Sequence, residues 1–258
     1  MQVRMVAAGV FAGLVVSGCT ASSSPVGTEA VTQPPSPSAT PAGPTPTPAP
    51  VVRKVLKPGA RGEAVRELQR KLTDLNYDPG KVDGRYGQTT QYALWAFEKV
   101  NRLKVGGTVG TKVWAALDAP RSPRPLTSQR EANRVDIDLK RQFLVVYKAG
   151  RVALISHVSS GGGYRYCAKD IGATVPRCRY AVTQLGDFRT GRRVTRAWDT
   201  GPLGSLYAPV YFNGGIAVHG YPDVPAQPAS HGCVRVPLHT MDLFQGVVGT
   251  GVPVHVRG

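Results

Sequence analysis

The most informative stretch of this chain reads Ser230-His231-Gly232-Cys233-Val234-Arg235, and it follows Ala217-Val218-His219-Gly220 after a short interval. Together the two stretches place one thiol and two imidazoles in a region rich in glycine and in strand-forming residues. A cysteine thiol becomes an effective nucleophile when a nearby imidazole removes or stabilises its proton. Glycine beside the thiol lets the backbone approach closely, so that amides of the turn can face a developing oxyanion. The pattern therefore predicts a nucleophilic cysteine on a sharp turn.

The N-terminus predicts export from the cytoplasm. Arg4 precedes an apolar run over residues 5–16, which is too short to be a membrane span, and the run leads into Val16-Ser17-Gly18-Cys19. A charged start, a short apolar core and small residues are typical of a secretory signal, and the final cysteine resembles a bacterial lipobox. We therefore expect residues 1–18 to be removed and Cys19 to carry a lipid that anchors the chain to the cell membrane. The alternative is an ordinary signal peptide with an incidental cysteine.

Export changes the meaning of the cysteine count. The chain has four cysteines, and setting aside a lipidated Cys19 leaves three. In an oxidising compartment an odd number leaves one thiol unpaired. Cys167 and Cys178 lie close in sequence and bracket a polar loop, so we expect them to form a disulfide that contributes roughly 3 kcal/mol in the chain-entropy model. Cys233 then remains free, the alternative being that Cys233 pairs with one of the other two.

A proline-rich segment separates the predicted lipid from the folded protein. Residues 20–52 contain nine prolines, and Glu29 is their only charge. Such a composition cannot bury a core and favours an extended polyproline conformation of about 3.1 Å per residue. We therefore expect residues 19–54 to form a linker that lifts the folded part off the membrane and into a surrounding wall, although a purely passive spacer fits the composition equally well.

The first folded unit is predicted over residues 55–119. Apolar residues recur at helical spacing in three places, which predicts three short helices with two related glycine turns, 82–87 and 105–110, between them. The unit resembles the small three-helix peptidoglycan-binding domain through Val65-Arg66-Glu67-Leu68-Gln69, Val82-Asp83-Gly84 and Tyr86-Gly87, and departs from it at Gly106, where an aspartate is common. The resemblance implies a three-helix bundle that binds peptidoglycan.

The pattern changes after a proline-rich hinge predicted at residues 120–130. Residues 131–258 show period-two alternation and segments rich in β-branched and aromatic residues, which predict a mainly β domain of a size that fits one core. A short helix is expected from Leu238 to Val248, after Pro237 at a favourable first position. The candidate strands are centred on residues 135–139, 143–147, 152–158, 180–184, 216–219 and 252–256.

This second unit resembles the YkuD-type L,D-transpeptidase catalytic domain through the two stretches quoted first, and the similarity covers roughly Val135 to Arg257. The resemblance implies that Cys233 is the acyl-accepting nucleophile, His219 the general base and His231 a supporting histidine. Four further positions match the family and are assigned to substrate binding or to the oxyanion: Gly220, Ser230, Gly232 and Arg235. Gly220 is also assigned to orienting His219 through its backbone carbonyl. The segment 221–229 is shorter than in many members, which affects the expected shape of the substrate lip.

The reaction implied by the resemblance is a two-step acyl transfer on peptidoglycan stem peptides. Cys233 attacks the amide between the third stem residue and the terminal D-alanine, and a side-chain amine of a neighbouring stem then takes the acyl group, which gives a 3→3 cross-link. Interception by water would make the same site an L,D-carboxypeptidase. No metal or organic cofactor is required, and carbapenem β-lactams are expected to acylate the same thiol.

Two other classes of function remain as alternatives. Imidazole and thiolate are ligands that zinc prefers, so His219, His231 and Cys233 could hold a zinc ion; a non-catalytic wall-anchoring lipoprotein is the other possibility. The net charge of +16 favours contact with anionic wall polymers or lipid headgroups, and nucleic acid is not an expected partner outside the cytoplasm. An arginine cluster over residues 189–196 is interpreted as a solvated hairpin tip.

Overall fold

The computed structural model describes residues 53–128 and 131–258. The predicted signal peptide, the predicted lipidation site Cys19 and nearly all of the predicted linker lie outside these residues. Within the described part the helices are α1 Glu63–Asp74, α2 Gln88–Asn101, α3 Thr111–Asp118 and α4 Leu238–Val247, and none of them is long and apolar enough to span a membrane. The strands are β1 Arg134–Asp138, β2 Phe143–Lys148, β3 Arg151–His157, β4 Arg165–Ala168, β5 Arg177–Tyr180, β6 Gly186–Arg189, β7 Trp198–Gly201, β8 Gly204–Asn213, β9 Ile216–Tyr221, β10 Val234–Pro237 and β11 Pro253–Arg257.

Helices α1, α2 and α3 form a helical region at the N-terminal side of the described chain. The helical spacing of apolar residues predicted all three, and the buried side chains include Leu68 and Leu72 of α1, Leu94 and Phe97 of α2 and Trp114 of α3. Burying each such side chain is worth about 1.5–3 kcal/mol. The helical region therefore has an apolar core built from all three helices.

That core continues onto one face of a five-stranded sheet. The sheet has the strand order β3-β2-β1-β11-β6, in which β1 and β11 are parallel and the other neighbours antiparallel. Phe143, Val145 and Tyr147 of β2 belong to the helical core, whereas Leu144 and Val146, on the opposite face, belong to the core of the β region. Strand β2 is buried on both faces, which is why its sequence is apolar without alternation.

The second core lies between the five-stranded sheet, α4 and a four-stranded sheet with the order β10-β9-β8-β7. Met241 and Phe244 of α4 are fully buried against it. In this sheet β10 is parallel to β9, and the register pairs Val234 with Val218 and Arg235 with His219. The register brings the two motif-bearing stretches of the sequence side by side at the β10 edge of the sheet.

Backbone and polar contacts also join the helical region to the β region. The Ile155 amide on β3 donates to the Asn76 carbonyl at 2.8 Å, and the Thr240 hydroxyl of α4 donates to Asp78 Oδ2 at 2.9 Å. The predicted hinge is hydrogen-bonded at two points, through the amides of Arg121 and Leu126. The helical and β regions are therefore joined by polar contacts as well as by the shared apolar core.

Three features differ from the sequence expectation. No strand covers 180–184: β5 ends at Tyr180, and the next residues follow an irregular path in which the Ala181 amide donates to the Tyr164 carbonyl. Strands β4, β6, β7, β8 and β10 were not predicted. The arginines at 189–196 also make specific contacts, since Arg193 donates to the Gln245 and Val248 carbonyls at the C-terminal end of α4, where a cation is favourable.

The expected disulfide is present: Cys167 and Cys178 are bonded across the antiparallel pair β4–β5. Among the described cysteines Cys233 is the free one. We predict that alkylation of the unreduced full-length protein labels the peptide that contains Cys233 and leaves those containing Cys167 and Cys178 unlabelled until a reductant is added. Peptide mapping by mass spectrometry measures this, and a disulfide peptide containing Cys233 as the main species would contradict it.

Candidate active site

A cleft of about 700 Å³ in the β region opens where β9 and β10 meet. Cys233, His219, His231, Ser230 and Arg235 all line it. The cleft is flanked by the disulfide-linked β4–β5 pair on one side and by the β7–β8 hairpin on the other. The side chains that the sequence predicted to act together therefore do share one cavity.

The turn that carries Cys233 is held by its own hydrogen bonds and by one neighbour. Ser230 Oγ donates to the Cys233 carbonyl and accepts the Gly232 amide at 3.0 Å. Thr183 Oγ1 donates to the Gly232 carbonyl at 2.6 Å and accepts the Gly161 amide at 2.9 Å. In this arrangement the Gly232 amide is committed to Ser230, so Ser230 and Gly232 shape the turn.

Gly232 is required at its position by both backbone conformation and space. Its φ is +140°, a region that side-chain-bearing residues rarely adopt, and a Cβ would lie 2.9 Å from Ile216 Cδ1 and 3.1 Å from the Val182 carbonyl oxygen. The backbone carbonyl cannot move as a flexible side chain can. The turn therefore presents Cys233 only because residue 232 has no side chain.

Cys233 lies at the floor of the cleft with part of its surface exposed. Burial raises the pKa of its thiol above the ordinary value, whereas a hydrogen bond from the Ala217 amide and the charge of Arg235 lower it. Sγ also lies 3.7 Å from the Gly215 carbonyl oxygen, which can accept a weak S–H hydrogen bond. The thiol is consequently protonated at neutral pH.

His219 lies on β9, nearly without solvent exposure. Burial lowers its pKa to about 4, and the positive charge of Arg235 adds to this, so the ring is neutral at pH 7. Nδ1 lies 2.9 Å from the Gly220 carbonyl oxygen. A carbonyl can only accept, so Nδ1 carries the proton and Nε2 retains a lone pair that can take up a proton.

Gly220 also allows close packing around β9, because it has no side chain. A Cβ at this position would lie 2.8 Å from Tyr207 Cδ1 and 3.2 Å from Met241 Cβ. Tyr207 is itself tied to α4 by a hydrogen bond to Asp242 at 2.9 Å. The small residue after His219 therefore allows β9 to pack closely between β8 and α4 while its carbonyl orients the imidazole.

His231 is placed differently from His219. Its ring packs edge-on against Tyr166 of β4 with ring centroids 4.7 Å apart, and against Tyr164 at 5.5 Å. Burial lowers the pKa of His231, with a smaller effect from Arg235. Since Tyr166 immediately precedes Cys167, the disulfide-linked strand pair supports this histidine at the rim of the cleft.

Arg235 provides the fixed positive charge of the site. Its guanidinium lies over the Tyr221 ring, 4.1 Å from the centroid, and its buried Nε has no hydrogen-bond partner among the described residues. A buried N–H without a partner is costly. Because Arg235 lines the cleft and is partly exposed, the rest of its guanidinium can meet an anionic group of a bound ligand.

Comparison with known proteins agrees with this geometry. A model of the L,D-transpeptidase catalytic domain (YkuD) matches residues 132–256, and a putative peptidoglycan binding domain matches residues 61–117. The crystal structure of an L,D-transpeptidase (residues 123–326) from Xylanimonas cellulosilytica is 38% identical, with a TM-score of 0.72, and the match covers 82% of this chain and 100% of that one. The chain belongs to the L,D-transpeptidase family.

A further match covers a shorter part of the chain. The spore cortex-lytic enzyme of Bacillus cereus is 42% identical over 59 residues, which is 23% of this chain and 23% of that protein. The chain therefore spans about a quarter of the length of the curated relatives that it matches.

The transpeptidase cleft contains an array that sequence reasoning missed. Asp199 of β7 accepts hydrogen bonds from Tyr211 Oη at 2.8 Å and from Arg192 Nη2 at 2.9 Å, and the Arg192 guanidinium lies 4.0 Å from the Tyr211 ring centroid. Burial, with the neighbouring Asp199, raises the pKa of Tyr211 to about 12. No local sequence motif indicates these residues, because they come from three separate segments.

The zinc alternative has no geometric support in the described residues. Within 53–128 and 131–258 no three His, Cys, Asp or Glu side chains come together in a way that could hold a metal ion. His219 directs Nδ1 to a backbone carbonyl, and His231 packs against two tyrosine rings.

Gly232→Ala tests the geometry of the turn. We expect acyl transfer to fall by about 10²-fold, because a shift of about 1 Å in the nucleophile is enough for such a loss, while the strained φ costs about 1–3 kcal/mol of stability. Gly246→Ala on α4 is the matched control: a Cβ there meets nothing within 4 Å, and we expect full activity. Product formation and thermal unfolding measure both variants. A fully active Gly232→Ala would contradict the assigned turn geometry.

Proposed function

We propose that this chain is a peptidoglycan L,D-transpeptidase that forms 3→3 cross-links through a thioester on Cys233. The observation that carries the proposal is that the unpaired thiol of Cys233 lies in one cleft with a neutral imidazole, His219, whose Nδ1–H is committed to the Gly220 carbonyl. Membership of the family and the match to a peptidoglycan binding domain support the same substrate class.

The first step is acylation. The Cys233 sulfur attacks the carbonyl carbon of the third stem residue, and His219 Nε2 takes the thiol proton. A tetrahedral oxyanion forms, and because the Gly232 amide is already used, the amides of His231 and Cys233 are the turn's candidates for stabilising it. The C–N bond to D-alanine then breaks, the imidazolium returns its proton to the departing amine, and a thioester remains.

The second step transfers the acyl group. A side-chain amine on the third residue of a neighbouring stem attacks the thioester, and its proton passes to His219. Collapse of the intermediate forms the new amide and releases Cys233, which recovers its proton from the imidazolium. Water in place of the amine gives hydrolysis and hence L,D-carboxypeptidase activity, which is the second outcome to be measured.

The positive charge of Arg235 in the cleft indicates how the donor stem is oriented. Arg235 is the cation whose charge lowers the pKa of the Cys233 thiol, and it lines the cleft. We assign it to the terminal carboxylate of the donor stem. An ion pair between this carboxylate and the accessible part of the guanidinium would anchor the D-alanine end beside the scissile amide.

The cellular setting follows from the same proposal. The helical region binds peptidoglycan, the lipid on Cys19 anchors the chain to the membrane, and the linker of residues 19–54 carries the transpeptidase into the wall. Carbapenem β-lactams present a strained amide carbonyl to the same thiol, so they are expected to form a covalent adduct on Cys233. The net charge of +16 favours retention by anionic wall polymers.

Incubating the full-length protein with tetrapeptide-stem muropeptides tests the function directly. We expect mass spectrometry to find dimers with one D-alanine lost per cross-link, and Cys233→Ala to abolish both the dimers and the carbapenem adduct while circular dichroism stays unchanged. A chelator should leave wild-type activity unaffected. Trimmed monomers alone would identify a carboxypeptidase, loss of activity on chelation a zinc enzyme, and an active alanine variant would exclude the thioester.

The protonation states give a second prediction. Since the pKa of Cys233 is raised and that of His219 is lowered to about 4, the free enzyme holds a neutral pair, not a preformed thiolate–imidazolium pair. We expect the rate of alkylation of Cys233 by iodoacetamide to rise about tenfold per pH unit from pH 6 to pH 8. A rate that is constant between pH 5 and pH 7 would show a preformed thiolate. Peptide-resolved labelling in the wild type is the measurement.

A further inference from the structure

A buried pair of titratable side chains lies outside the cleft and is not used by the proposed chemistry. Lys99 of α2 is 7% exposed and His157 of β3 is 1% exposed, and Lys99 Nζ lies 2.6 Å from His157 Nδ1. Lysine is almost never fully buried unless its ammonium group is paired. Among the described residues no carboxylate is a hydrogen-bond partner of Lys99, so its position calls for another explanation.

The polar groups around Lys99 provide one acceptor for each N–H donor of an ammonium ion. Nζ lies 2.9 Å from the Gln142 carbonyl oxygen, 3.4 Å from the Ala226 carbonyl oxygen and 2.6 Å from His157 Nδ1. An ammonium has three N–H donors and no acceptor. All three are used if His157 Nδ1 accepts, which places the imidazole proton on Nε2.

His157 Nε2 then donates to the same segment that Lys99 reaches. It lies 3.0 Å from both the Val224 and the Pro225 carbonyl oxygens. A third contact comes from α2, since the Val224 amide donates to Tyr92 Oη at 3.1 Å. Three consecutive residues, Val224 to Ala226, are thus held by side chains from α2 and β3.

The held segment leads directly into the catalytic turn. Ser159 Oγ donates to the Gln227 carbonyl at 2.8 Å, and the Ser160 carbonyl accepts the amides of both Ala229 and Ser230 at 2.9 Å. The Gly162 amide in turn donates to the Ser230 carbonyl at 2.9 Å. Residues 224–230 therefore lie along residues 157–162, and their far end is the serine that shapes the turn of Cys233.

We propose that Lys99 and His157 are positioning residues for the transpeptidase: they clamp residues 224–226 and thereby set the catalytic turn, so that the helical region contributes to catalysis through the backbone as well as by wall binding. The inference rests on the proposed function for its kinetic consequence. Its structural part, the clamp itself, does not depend on which reaction Cys233 carries out.

The electrostatics are consistent with a clamp built from one charge and neutral acceptors. Burial lowers the pKa of Lys99 to about 7, and Glu98, the adjacent residue on α2, raises it in part. Burial and then the charge of Lys99 lower the pKa of His157 to about 3. His157 is therefore neutral, and at pH 6 Lys99 is predominantly an ammonium ion with three donors.

The test compares Lys99→Met with Lys104→Met in the full-length protein at pH 6. Methionine keeps the length of the side chain without its donors, and Lys104 is an exposed lysine of the same helical region. We expect Lys99→Met to lower kcat about tenfold or more with KM changed less than about threefold, because positioning and not substrate binding is lost. Lys104→Met should keep both constants.

Hydrogen–deuterium exchange supplies a readout that needs no turnover. We expect amides in 222–233 to exchange about tenfold faster in Lys99→Met, with those of β1 and β2 unchanged. Unchanged exchange and unchanged kcat would overturn the proposal. If Lys99→Met shows the faster exchange but the wild type carries out no transpeptidation, the clamp stands and the proposed function fails.

A second pair of variants keeps the test decisive if Lys99→Met does not fold. In His157→Gln the amide nitrogen can still donate to the Val224 and Pro225 carbonyls, whereas His157→Phe cannot. We expect the glutamine variant to recover most of kcat and of the protection of residues 222–233 relative to phenylalanine. Equal behaviour of the two variants would show that His157 only fills space, which contradicts the clamp.

Discussion

Strand β2 is the element on which the rest of the structure depends, because it is buried on both faces. Phe143, Val145 and Tyr147 pack into the core of the helices, whereas Leu144 and Val146 pack into the core beneath the cleft. Each of these side chains contributes about 1.5–3 kcal/mol on burial, so the three that face the helices together approach the whole stability of a typical domain, about 5–15 kcal/mol. The helical region is therefore part of the fold of this transpeptidase and not a loosely attached module.

The sequence predicted helices and strands best where a single physical requirement determined the pattern of apolar residues. The helices follow from apolar spacing, and β1, β2 and β3 from runs of β-branched and aromatic residues that the two cores require. Strand β8 was missed because it contains Pro209 and because Ala208, at a φ of +50°, interrupts its register with β9. Residues 180–184 have the composition of a strand, but their amides bond locally and to Tyr164 in place of a ladder.

In the candidate site, too, the sequence revealed residues that belong to local motifs and missed residues whose surroundings come from distant segments. Cys233, His219 and His231 were identified because their motifs are contiguous, and the cleft brings them together. Asp199, Tyr211 and Lys99 could not be found in this way, since each acquires its surroundings from segments distant in sequence. For Lys99 a weak signal existed: it lies on α2 among Phe97 and Val100, in a helix end that is buried almost all round.

Burial connects the stability of the site with its chemistry. The thiolate is the form of cysteine that oxidises and exchanges with disulfides, and the surroundings of Cys233 raise its pKa and keep it as a thiol. A free cysteine in a protein that also contains the Cys167–Cys178 disulfide gains protection from this. Under the proposed mechanism, His219, which is neutral and a weak base, must accept the proton as the sulfur attacks. Correct alignment of the turn then replaces a preformed charge as the source of reactivity, which is why contacts as remote as those of Lys99 can bear on the rate.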